Sequence, residues 1–64
     1  MTVNTKMGKI TASKEVLCEL NICIFKAEQA YRQDGRKNLA NYYREVHSQI
    51  FDALDETGYF DDVK

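Results

Sequence analysis

The sequence predicts an all-α protein, an antiparallel two-helix hairpin that pairs with a second copy of itself into a four-helix bundle. Two amphipathic stretches of about 20 residues flank a single Asp34-Gly35 break, and the first stretch carries apolar residues on a second side as well. The chain has 64 residues, three glycines, no proline and no tryptophan. A domain of this size hides only about 60% of the surface that its unfolded form exposes, so its core is thin and reinforcement is expected.

Residues 1–10 hold no helical period and include Gly8, and they read as a flexible arm. The alternation of Val3, Thr5 and Met7 would make a short strand only against a partner edge. Helix 1 is expected over about residues 12–34, within a hairpin spanning 11–58. Thr11 or Ser13 can cap its first free amides, and Glu15 sits well in the first turn. At about 100° per residue, Leu17, Leu20, Ile24, Ala27 and Tyr31 form a core stripe that Val16, Cys23 and Ala30 widen. Gly35 can take the left-handed conformation that ends the helix.

Helix 2 is expected over about residues 39–57, with Asn38 as its N-cap. Leu39, Tyr43, Val46, Ile50, Ala53 and Thr57 repeat at alternating spacings of four and three, with Tyr42 and Leu54 beside them. Gly58 supplies a second left-handed stop, after which Tyr59 packs back on Leu54. An acidic and aromatic tail, 59–64, follows.

Helix 1 is where the sequence points outward. Cys18, Ile22 and Phe25 fall on the reverse side from the core stripe, divided from it by Glu15, Glu19 and Lys26 on one flank and Lys14, Asn21, Glu28 and Arg32 on the other. A two-helix hairpin buries one face per helix, so the second face calls for another chain, most simply in a two-fold homodimer. The expected interface is Cys18, Ile22 and Phe25, extended by Gln29 and by Phe51 from helix 2. Coverage by the chain's own arm or by Tyr59 and Phe60 is the competing reading.

Other functions find little footing. Cys18 and Cys23 would stand about 8.6 Å apart on a helix, too far for a bridge. Two Cys and one His fall short of a structural zinc set, and no cofactor motif occurs. No apolar run is long enough for a membrane span and the N-terminus has no signal-peptide core, so a cytoplasmic protein is expected. His47, the one histidine, has no assignable nucleophile or orienting acceptor and reads as a half-packed residue at the core boundary. No enzyme activity is expected.

Net charge is -1, yet it is unevenly spread: eight basic residues against four acidic through Arg44, then six acidic against Lys64. The basic turn, Arg32, Arg36 and Lys37, is a candidate anion or nucleic-acid contact, while the acidic second half repels phosphate. The order of an alternating arm and two helices resembles the ribbon-helix-helix repressors, whose dimer lays a two-stranded ribbon in the major groove. That resemblance covers the arm and element order alone; helix 1 is nearly twice as long as that fold's first helix, and Gly8 interrupts the ribbon. The expected function is thus a small non-enzymatic protein-interaction module, an adaptor, inhibitor or regulator, with a dimeric DNA-binding regulator as the alternative.

Overall fold

The computed structural model describes residues 1–61 and contains two strands and two helices: β1 (Thr2–Thr5), β2 (Gly8–Thr11), α1 (Lys14–Gln33) and α2 (Lys37–Glu56). Asp62, Val63 and Lys64, the end of the expected acidic tail, lie outside the described residues. The helical hairpin is present, and the main departure from expectation is at its front. Residues 1–10 are not a flexible arm, because β1 and β2 pair antiparallel with Val3 opposite Ile10 and Thr5 opposite Gly8. The partner edge that Val3 and Thr5 require comes from the same chain, which also separates this ribbon from the intermolecular one of the repressors named above.

Local chemistry explains the turn. Gly8 has φ +114°, and no other residue of the turn takes positive φ. The glycine absorbs the conformation that a side chain resists. Thr5 Oγ1 donates to the Gly8 carbonyl at 2.8 Å and accepts from the Met7 amide at 3.1 Å. Val3 is buried in the main core, while Met7, the third residue of the apparent alternation, is exposed in the turn. The turn is anchored on α2: the Lys6 amide donates to Gln49 Oε1 at 2.7 Å, and its ammonium pairs with Glu45 at 2.8 Å.

Of the two candidate caps for α1, Ser13 serves, its hydroxyl accepting from the Val16 amide at 3.2 Å. Thr11 belongs to β2, where its hydroxyl meets that of Thr2. The expected glycine endings both form. The Gly35 and Arg36 amides donate to the Arg32 and Tyr31 carbonyls, and the Gly58 and Tyr59 amides to those of Asp55 and Leu54, with φ of 80° at Gly35 and 77° at Gly58. These crossed bonds use carbonyls that a helix end otherwise leaves open. Asn38 is not the cap of α2. The helix starts at Lys37, the Ala40 amide donates to the Arg36 carbonyl, and no side chain caps that end.

The core is Leu17 and Ile24 from α1, Val46, Ile50 and Leu54 from α2, and Val3 from β1. Burying one such side chain contributes about 1.5 to 3 kcal/mol. The β-hairpin closes one side of the helix pair, leaning mainly on α2.

Candidate functional site

The site follows from the way α1 is rotated. Its buried residues are Leu17, Asn21, Ile24 and Glu28, with half-buried Tyr31 continuing the series. This stripe lies about 70° round the helix from the one that hydrophobicity alone selects. Val16, Cys23 and Ala30, expected to widen the core stripe, are exposed, Val16 by 55%. Cys18, Ile22 and Phe25 therefore lie about a quarter turn from the buried stripe instead of on the reverse side. The cause is visible in the partners: α2 and the β-hairpin fill the core from Leu17 and Ile24, and Glu28 is accommodated because Arg32, one turn on, donates to its carboxylate at 3.1 Å.

On this flank an open cleft of about 330 Å³ lies between α1 and α2. One wall is Cys18, Ile22 and Phe25; the other is His47, Phe51 and Leu54; Phe60 closes one end and Asn21 completes the lining. Four rings run in sequence along it, with centroid distances of 5.4 Å from Phe25 to His47, 6.4 Å to Phe51 and 5.0 Å to Phe60. Ile22, Phe25 and Phe51 remain 46%, 43% and 44% exposed. The described residues at either end leave them so. The β-hairpin leans on α2, and Phe60 lines the cleft and stacks on Phe51.

Two polar atoms of lining residues stand out, each shut off from the open surface of the cleft. Asn21 Oδ1 and His47 Nδ1 are both buried and neither has a hydrogen-bond partner among the described residues. A buried polar group left unpaired costs about 1 to 3 kcal/mol, a heavy charge on a domain this small. Asn21 is only 5% exposed overall. Asn21, expected among the polar dividers of two faces, turns inward. A signal for this exists in the sequence, since Leu17, Asn21, Ile24, Glu28 and Tyr31 recur at four-three-four-three, although two polar members hide the series from hydrophobicity alone.

Four of the five expected interface residues, Cys18, Ile22, Phe25 and Phe51, thus line one cleft, and Gln29 is exposed outside it. The candidate anion contacts sit at the connection between the helices. Arg32 is held by Glu28 and reaches Asn41 Oδ1 at 3.3 Å, and Arg36 pairs with Asp34 at 2.9 Å. Lys37 is exposed in the first turn of α2. Nearby, partial burial pushes the Tyr59 phenol up, and the neighbouring Cys18 side chain and the carboxylates of Glu15 and Glu19 act in the same direction.

No protein-family model matches the sequence, and neither a curated protein nor a solved structure matches the chain. No described helix is long and apolar enough to cross a membrane. Among the described residues, no group of three or more His, Cys, Asp or Glu side chains could hold a metal ion.

Proposed function

We propose that this chain is a non-enzymatic protein-interaction module that self-associates through the cleft, pairing two helical hairpins into a four-helix arrangement and acting as an adaptor or regulator. The observation that carries the reading is the partial exposure of Ile22, Phe25 and Phe51 around one concavity. Each side chain, a little under half exposed, has about 1 kcal/mol of burial still to gain, and a two-fold contact counts that gain twice.

Charge supports a second copy as the occupant. Arg36 and Lys37 lie at the connection beside Asp34, at one end of the helix pair, while Glu15, Asp55, Glu56 and Asp61 lie at the other with Lys14. An antiparallel two-fold pairing sets the basic end of each copy beside the acidic end of its mate. Such exposed pairs contribute about 0 to 1 kcal/mol each, so they select orientation more than they add affinity.

Sedimentation velocity over a concentration series tests the proposal. Wild type is expected to sediment as a dimer, and Phe25→Asp as a monomer of unchanged helical circular dichroism. A wild-type monomer at every concentration overturns it.

A further inference from the structure

We propose that self-association through the cleft is switched off by protonation of His47, so that two copies pair at neutral pH and separate under mildly acidic conditions. The switch presupposes the pairing of two copies and acts on the same surface. His47 is the chain's one histidine, the side chain whose ordinary titration falls between about pH 5 and 8. Its ring belongs to the cleft wall, with the Phe25 ring centroid 5.4 Å away and that of Phe51 at 6.4 Å.

The surroundings suit the neutral ring and oppose the charged one. Nδ1 is buried without a partner, and a neutral imidazole can leave that nitrogen bare. An imidazolium carries N–H on both nitrogens, so its Nδ1–H is buried with no acceptor. The cleft lining contains no carboxylate to receive it. From α1 the lining offers Cys18 as its single ionisable group, and Glu28 on the buried stripe is already engaged by Arg32. On α2, Arg44 is an exposed cation one turn back, and Glu45 is taken by Lys6 of the β-hairpin. The turn after α2 supplies Phe60 and the Tyr59 phenol, which is held neutral. A second copy seated on the cleft then removes the water that hydrates a charge there. His47 and Phe25 lie near the midpoints of α2 and α1, so a two-fold axis that exchanges the helix ends passes closest to them and gathers both histidines in one region. Two imidazolium ions in that region repel each other.

Each copy takes up one proton on separation, so the pH dependence enters the dimer dissociation constant squared. With a free histidine titrating near about pH 6.5, that constant is expected to rise about 100-fold between roughly pH 7.5 and 5.5. Sedimentation velocity of the full chain over a concentration series at both pH values measures it, with circular dichroism on the same samples. The helical signal is expected to persist in acid. His47→Phe keeps a ring without a titrating nitrogen and is expected to lose the pH slope whatever its affinity; His47→Gln provides the same comparison should the first variant fail to fold. A wild-type dimer whose constant changes less than about threefold, an equal slope in the variants, or loss of helix at the lower pH overturns the switch and leaves the pairing standing. A wild-type monomer at the higher pH at every concentration overturns both.

Discussion

Phe51 and Phe60 stack with their ring centroids 5.0 Å apart and 20° between their planes, which ties the C-terminal third of α2 to the turn that follows it. The contact converts the chain's final described turn into the end wall of the cleft. Paired rings of this kind contribute about 0.5 to 1.5 kcal/mol beyond their buried area. A double-mutant cycle with Phe51→Ala and Phe60→Ala, followed by urea unfolding at a fixed protein concentration, is expected to return a coupling in that range; a coupling of zero would mean the rings do not meet in solution.

The rotation of α1 predicts contrasting outcomes for adjacent residues. Leu17 is fully buried and Val16 is 55% exposed. Leu17→Ala should cost about 2 to 5 kcal/mol, enough to unfold much of a domain whose total stability is about 3 to 10 kcal/mol. Val16→Ala should stay within about 0.5 kcal/mol. Thermal melts followed by circular dichroism distinguish them, and comparable losses for the two would place the wrong face inward.

Gly8 makes a purely conformational prediction. A Cβ built there meets nothing within 4 Å, yet its φ is +114°. Gly8→Ala should therefore introduce no clash and still cost about 1 to 2 kcal/mol through the backbone. Because the strain is confined to the β-hairpin, amide exchange at Val3 and Ile10 should accelerate while the α1 and α2 helical signal persists.

Alkaline pH should loosen the same hairpin. The hydrogen bond and charge of Glu45 raise the Lys6 ammonium above its ordinary value of 10.5, so the folded state holds this proton more tightly than the unfolded chain. The resulting stability is complete below pH 10.5 and is lost as pH rises through the raised value. Tyr59 acts in the same direction, because a phenol raised from 10.0 resists the ionisation that unfolding permits. Urea midpoints should be insensitive to these two groups from pH 7 to 9 and should fall above pH 10. Lys6→Met and Tyr59→Phe should each flatten part of the decline.

Much of the fold was legible locally. Gly35 and Gly58 end their helices with the positive φ that only glycine takes cheaply, and Ser13 caps α1 through its own hydroxyl. Cys18, Ile22, Phe25 and Phe51 could be grouped from spacing, and they share one cleft. Gln29 could not be excluded in this way, since helical spacing gives direction but not how far a neighbouring element extends. The β-hairpin was hidden because Lys6-Met7-Gly8 lacks the Asn-Gly signature of a tight turn and each strand has only four residues. Its anchors, Gln49 and Glu45, stand 43 and 39 residues from Lys6.

The sequence alone determined that there are two helices of this length, where each ends, and which side chains are apolar, because periodicity and glycine conformation act over a few residues. Only the tertiary structure decided which stripe of α1 turns inward. Leu17 and Ile24 bury against α2 with Val3 of β1 completing the same core, and the rotation that satisfies all three elements at once carries Asn21 under the surface and leaves Phe25 at the rim. That choice depends on contacts between residues far apart in the chain, whose combined burial outweighs the preference of any single helix.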